Sequence, residues 1–453
     1  MIVIKFGGTS VQDAAAIARA AAIVRTRLSR RPTVVVSAMA GITDLLVSAA
    51  ELAAAGQATD VMRVIRDIRA RHLQAADDLL GTDEPHDALR SELGAIVNEL
   101  VRACDAIEAL GYVPARTRDM VLSVGERLSV PLVAAALRER GIPAVACDAR
   151  RCIVTDDRFG CAEPQWEATV SAVVAEVGGQ LEQELVPVLG GFIAATETGI
   201  TTTLGRGGSD YTAALVGAAL GVEAIEIWTD VDGMLTADPR VVGDAQVVEH
   251  VHYDEAAELA SFGAKVLHPR TIAPAVARGI PVSIHNSRDP ERGGTRITAD
   301  APRRALTAIA GRGGIAVVRL RTPGMLNARG FLHALFGIFA EHGVVVDVVT
   351  TSEVSVSATV EAAELTAALV KALGALGEVE VVDQCALVAV VGMELAAHAP
   401  EMARAVAALR ETTVHMLSVS ATGTNLTAVV PASDLARVMR RLHAELFEAV
   451  AAG

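Results

Sequence analysis

Leu204-Gly205-Arg206-Gly207-Gly208-Ser209-Asp210-Tyr211-Thr212 is the stretch on which the reading of this chain turns. Three glycines within four positions give a loop whose backbone N–H groups can lie against an anion, and Tyr211 to Gly221 reads as an apolar, Ala-rich helix. The loop therefore sits at a helix N-terminus, where the dipole and the unpaired donors favour phosphate. It carries one cation, Arg206, and one carboxylate, Asp210. A surface turn whose glycines only supply positive φ is the competing reading. It weakens as the neighbouring loops are added.

Working outward, Ile2 to Ile4, Thr33 to Val36, Ala144 to Cys147, Val186 to Leu189, Ala224 to Trp228 and Val282 to His285 are short apolar runs of the buried-strand type. Helical patterns separate them. That alternation predicts an α/β fold with a mostly parallel open sheet sandwiched by helices. From about 44 to 110 the pattern turns wholly helical, with Val61, Val64, Ile65, Ile68 and His72 on one face. Loops at 5–10, 37–43, 190–191, 204–210 and 229–233 are rich in glycine or small residues, and each follows a predicted strand. In an open α/β sheet, ligands bind beyond the carboxyl ends of the strands. Lys5, Arg206, Asp210, Thr229 and Asp230 are thereby expected in one phosphate-handling cleft. The chain lacks G-x-x-x-x-G-K-[ST], and it lacks G-x-G-x-x-G between the first strand and helix, which disfavours a Walker loop and a dinucleotide fold.

The 453 residues are 51% hydrophobic but only 3% aromatic, so packing must rest on Ala, Val, Leu and Ile. A net charge of −14 opposes nucleic-acid binding and docking on anionic lipid. The five cysteines show no C-x-x-C spacing and read as free thiols. The N-terminus has no signal-peptide pattern, and no run reaches the ~18 apolar residues of a spanning helix. A cytoplasmic protein is the expectation, and no metal-ligand spacing involves His250, His252, His268 or His285.

Past residue 300 the pattern changes. Segments from Ile315 to Val382 follow a βαββαβ order, and a similar order recurs from Ala386 to Leu446. Two tandem ferredoxin-like α+β modules, regulatory or for assembly, are expected at 300–384 and 385–453, after a first domain at 1–299.

Lys5-Phe6-Gly7-Gly8-Thr9-Ser10-Val11, the segments Thr202 to Tyr211 and Trp228 to Arg240, and Phe262-Gly263-Ala264-Lys265-Val266-Leu267-His268-Pro269 resemble aspartokinases, of the amino acid kinase superfamily. The resemblance extends to the paired modules, which look like ACT domains. The helical excursion and Met325 to Glu353 look most like the lysine-sensitive monofunctional branch, and no attached homoserine dehydrogenase domain is expected.

The resemblance implies transfer of phosphoryl from ATP with Mg²⁺ to L-aspartate, giving 4-phospho-L-aspartate. Lys5 would neutralise the transferring group, with Asp210 orienting it or a metal-bound water. Glu126 would take the α-ammonium and Arg206 the α-carboxylate, with Ser37, Thr43, Gly207 and Ser209 completing the acceptor site. Gly7, Gly8, Thr9, Ser10, Thr229, Asp230, Leu235, Arg240, Lys265 and Val266 would face the nucleotide. Leu235 stands where many relatives carry Tyr. Lysine would act at Met325, Ala328, Gly330, Phe331, Leu332, Val346, Asp347, Thr351, Ser352 and Glu353, with Ala328 in place of a Ser found in some relatives. No metal ligands are assigned to the protein, and a homodimer or dimer of dimers is expected. Two other readings stay open: a same-fold kinase for another amino-acid carboxylate, and an inactive ACT sensor, which intact Lys5, Glu126, Arg206 and Asp210 argue against.

Overall fold

Ile2–Phe6, Pro32–Val36 and Val186–Gly190 are buried at every position, as strands covered on both faces must be. A computed structural model describes residues 1–81, 84–263, 269–326 and 328–448. In chain order the first elements are β1 (Ile2–Phe6), α1 (Ala14–Thr26), β2 (Pro32–Val36), α2 (Ile42–Ala54), α3 (Ala58–Leu79), α4 (Glu84–Leu110) and α5 (Ala115–Glu139). Next come β3 (Ala144–Cys147), β4 (Val154–Thr155), α6 (Trp166–Val173), α7 (Gly179–Glu182), β5 (Val186–Gly190), β6 (Ile193–Thr196), β7 (Thr201–Thr203), α8 (Gly208–Leu220) and β8 (Ala224–Thr229). The chain continues through β9 (His250–His252), α9 (Tyr253–Ser261), α10 (Pro269–Val276), β10 (Val282–Asn286) and β11 (Thr295–Thr298).

The main sheet of the first unit runs β3-β5-β2-β1-β8-β10-β11, parallel throughout except for β11. β1 lies at its centre, between β2 and β8. The predicted strands are all present; β3 has the expected bounds and the others are extended by a residue or two. β4, β6 and β7 form a small separate sheet that the hydropathy pattern does not signal. This matters for the 204–210 loop, which follows the antiparallel strand β7 rather than a strand of the main sheet. The helical excursion resolves into α2, α3 and α4. Its predicted face is buried, including His72, whose Nδ1 lies 2.7 Å from the Ile68 carbonyl oxygen. Desolvation lowers the His72 pKa to about 4, so the ring is neutral. By length and composition α5 could cross a membrane, but 83% of its apolar window is buried inside the fold.

The second unit is built from β12 (Ala308–Arg321), α11 (Phe331–Glu341), β13 (Val346–Thr351), β14 (Ser355–Glu361), α12 (Ala367–Leu373), β15 (Glu378–Val391), α13 (Ala399–Ala407), β16 (Met416–Val419), β17 (Asn425–Pro431) and α14 (Leu435–His443). These make one antiparallel sheet, β13-β14-β12-β15-β17-β16. Here the structure corrects the tandem boundaries. Ile315 to Arg321 of β12 pairs with β14, whereas Ala308 to Arg312 pairs with Leu387 to Val391 of β15. The second module has only β15, β16 and β17 after residue 384. Its fourth strand comes from the chain ahead of the first module, so the first is inserted within the second. The physical reason is the open edge of β15, which needs a partner.

The boundary near residue 300 is corrected too. The described residues from Leu235 to Gly263 belong to the second unit. Thr236 accepts from Ile309 N at 2.8 Å, and Glu255 accepts from Thr307 Oγ1 at 2.5 Å and Met393 N at 3.0 Å. Asn425 Nδ2 donates to Glu258 Oε2 at 2.9 Å.

Candidate active site

Lys5 is the penultimate residue of β1, and its Nζ lies 2.6 Å from Asp210 Oδ1. Lys5 is 8% exposed. A charge so nearly dry requires a counter-ion, and Asp210 supplies it from the first turn of α8.

Around this pair opens a cavity of about 850 Å³. Of the residues expected in the site, Lys5, Gly8, Ser37, Thr43, Glu126, Arg206, Gly207, Ser209 and Asp210 line it. Three helices present their N-termini to it: Gly41 to Asp44 of α2, Val113 and Ala115 of α5, and Gly207 to Asp210 of α8. Gly41 and Gly207 cap α2 and α8 in the left-handed conformation, at φ 77° and 72°. Each lets the chain turn sharply into its helix so that the first-turn donors face the cavity. The 204–210 loop reaches this edge although its strand lies outside the main sheet.

Glu126 is 3% exposed. Its Oε1 accepts from Ala38 N at 3.1 Å, while its Oε2 is buried without a partner. Burial pushes its carboxyl pKa up to about 8. A buried oxygen left unpaired on the wall of a cavity can accept from a donor the protein itself does not provide.

The remaining expectations divide. Gly7 and Thr9 do not line the cavity, and Gly7 N–H is spent on Trp228 O at 2.9 Å. A Cβ at Gly7 would stand 3.8 Å from both Lys5 Nζ and Thr229 Oγ1, so the end of β8 lies close to Lys5. Thr229 Oγ1 donates to Asp230 Oδ1 at 3.3 Å. Ser10 is not a free donor: its hydroxyl meets Trp228 O at 3.2 Å and Ser287 Oγ at 2.7 Å. Leu235, bridged to Val247, and Arg240, gripped by the Asp238 carboxylate at 2.6 Å, belong to the second unit. Lys265, Val266 and His268 lie outside the described residues. Among the described residues no group of three His, Cys, Asp or Glu side chains could hold a metal ion.

Sequence reasoning missed Arg118, Asp119, Phe192 and Thr203, which also line the cavity. Ala115, Arg118, Asp119, Leu122 and Glu126 form one helical stripe, so Glu126 pointed to them at the i−4, i−7 and i−8 positions. Asp119 is fully buried and accepts from Gly160 N (2.9 Å), Thr203 N (2.8 Å) and Thr203 Oγ1 (3.0 Å). It ties the start of α5 to the strand that feeds the glycine loop.

In the second unit, Met325, Phe331 and Val346 pack against the core of the inserted module. Gly330 caps α11, and Ala328 N donates to Met325 O at 3.1 Å. Leu332 is exposed, Thr351 ends β13, Ser352 Oγ lies 2.7 Å from Ser355 Oγ, and Glu353 is exposed in the turn that follows. Asp347 is held 2.5 Å from Arg312. Burial raises its pKa, and the guanidinium opposes that rise.

Residues 1–286 match the model of the amino acid kinase family. The chain is 40% identical to lysine-sensitive aspartokinase 3 of Escherichia coli K12, over 99% of both chains. Among solved structures it resembles E. coli aspartokinase III in complex with aspartate and ADP (R-state), with a TM-score of 0.88 and 38% identity over 99% of this chain and 100% of that one. The same enzyme in complex with lysine and aspartate (T-state) matches with a TM-score of 0.81 and 38% identity, over 99% of both chains.

Proposed function

Because the chain belongs to the amino acid kinase family and, within it, to the aspartokinases, we propose that it transfers the γ-phosphoryl of ATP to the side-chain carboxylate of L-aspartate. A carboxylate oxygen attacks the γ-phosphorus, the bond from phosphorus to the β,γ-bridging oxygen breaks, and ADP leaves. The nucleophile is already an anion, so no general base is needed. The difficulty is bringing an anion onto a polyanion, and catalysis is positioning and charge neutralisation.

Lys5 neutralises the phosphoryl group in flight, held in place by Asp210. Glu126 accepts from the α-ammonium through Oε2, and Arg206 takes the α-carboxylate with its planar fork. Ser37, Thr43, Gly207 and Ser209 frame the acceptor, beside the N-termini of α2 and α8. Gly7, Gly8, Thr9, Thr229 and Asp230 face the nucleotide. Mg²⁺ would arrive on the phosphates, where it would neutralise charge between donor and acceptor. The compartment is the cytoplasm.

Lysine inhibits by binding the inserted module near Met325, Ala328, Gly330, Phe331, Leu332, Val346, Thr351, Ser352 and Glu353, with its amino group on Asp347 in place of Arg312. Exposed Leu326, Leu332, Phe336 and Val345 on that module suit association of two copies, as a dimer or a dimer of dimers.

The observation that carries the acceptor assignment is the unpartnered Glu126 oxygen in the same cavity as the Lys5–Asp210 pair. Hydroxylamine trapping tests it: ATP with aspartate should yield the hydroxamate, ATP with glutamate far less, and Lys5→Ala none above background. Equal yields from both acids would make this a kinase of broader acceptor range. No yield above the Lys5→Ala control would sink the catalytic reading.

A further inference from the structure

The first turn of α5 carries Arg116 and Arg118 and no acidic residue. That is the wrong sign for a helix N-terminus, whose partial positive charge favours Asp and Glu. A local conflict of this kind marks a position kept for function rather than for folding. Asp119, next along, does not relieve it, because its two oxygens are taken up by Gly160 N, Thr203 N and Thr203 Oγ1.

Arg118 is exposed and lines the cavity, and among the described residues its guanidinium forms no hydrogen bond or ion pair, its backbone N–H being used on Pro114 O at 2.9 Å. Its place relative to Arg206 follows from three contacts. Asp119 holds Gly160 N at 2.9 Å. A Cβ at Gly205 would stand 3.1 Å from Gly160 O. Gly205 precedes Arg206. The turn at Phe159 and Gly160 is thus flanked by Arg118 on one side and Arg206 on the other. Glu126 lies eight residues further along the same face of α5, about 12 Å deeper at 1.5 Å per residue. The other cation of the cavity, Lys5, is already paired with Asp210. The wall therefore has a carboxylate at its inner end and two unpaired guanidinium groups nearer its mouth.

We propose that Arg118 is a specificity-determining residue whose guanidinium shares with Arg206 the main-chain carboxylate of an acidic amino-acid acceptor. This rests on the reading of the cavity as the acceptor site. Two arginines on one carboxylate favour a substrate that brings more negative than positive charge, and they draw it toward the mouth at low ionic strength.

The experiment compares wild type, Arg118→Gln and Arg118→Lys by initial rates of ADP release, with aspartate and with aspartate α-amide, which lacks the main-chain carboxylate charge. Loss of one charge-assisted hydrogen bond should raise KM for aspartate about tenfold in Arg118→Gln. The maximal rate should fall much less than KM rises, KM for ATP should hold, and Arg118→Lys should recover part of the loss. The preference for aspartate over its α-amide should shrink in Arg118→Gln, and kcat/KM should depend less steeply on salt. An unchanged KM for aspartate, a rise confined to KM for ATP, or an untouched preference against the α-amide would each overturn the proposal. An inactive wild type would overturn both this inference and the reading beneath it.

Discussion

Lys5 and Glu126 illustrate two uses of a buried charge. Lys5 is paired at once with Asp210, so its ammonium is fixed before any phosphate arrives. Removing it by Lys5→Ala should lower kcat by about 10²–10³, the range for loss of one preorganised donor to developing charge, with aspartate KM changed far less. Steady-state ADP release would measure both. Glu126 is left half-satisfied, and burial lifts its pKa to about 8. In the proposed role its charged form meets the acceptor's ammonium, so kcat/KM for aspartate should climb with pH up to about 8 and level off above it. Glu126→Gln should flatten that limb of the profile. The stability sign runs the other way. A carboxyl whose folded pKa lies above its unfolded value holds a proton that the unfolded chain has lost. Its contribution is complete below the ordinary carboxylate range and is lost as pH rises to about 8. Thermal unfolding of the ligand-free protein across that window, with Glu126→Gln as reference, would reveal the slope. That Lys5 and Asp210 belong together was legible from loops at the ends of strands. The unpaired Glu126 oxygen was not, because it depends on Ala38 filling one side of the carboxylate and nothing filling the other.

Among elements, α8 decides where the 204–210 loop stands. It is pressed against the end of β5: a Cβ at Gly191 would lie 2.5 Å from Ser209 Cβ. Gly191→Ala must push the first turn of α8 outward, carrying Ser209 and Asp210 with it. We expect a loss of about 1–3 kcal/mol from overpacking, read by denaturant unfolding, and a fall in kcat larger than that of a comparable substitution away from the cavity. The glycine-rich character of 190–191 and 204–210 was visible in the chain. Their contact was not, because β6 and β7 lie between them and are too short to give a hydropathy signal. The stripe on α5 that holds Arg118 and Asp119 escaped for a related reason. Polar residues on a mostly apolar helix read as its solvent face until packing shows which side is wet.

At the scale of the molecule, the second unit is not two modules in series. The long strands β12 and β15 run through both halves of one sheet, so strain in the inserted module has a covalent route along β12 into the other. Asp347 sits on β13 of that module, paired with Arg312 of β12. Lysine competing for Asp347 would release Arg312, so Asp347→Ala should raise the lysine inhibition constant about 10–100-fold, the worth of a lost charged hydrogen bond, with kcat within about twofold. Inhibition curves at fixed aspartate would decide it, and an unchanged constant would remove Asp347 from the effector site.

The parallel sheet, the helical excursion, the glycine-rich loops and the residues at their tips can be read from the chain alone. Those features are written locally, in runs of apolar residues, in the 3.6-residue period and in glycines beside a lysine or an arginine. Packing alone places Leu235 to Gly263 in the second unit, lets Ala308 to Arg312 complete the distant module, and leaves Glu126 a free oxygen in the cavity it shares with Arg118. Each of these depends on which distant segment fills an open edge or leaves a polar atom unmet, and neighbouring residues carry no record of that.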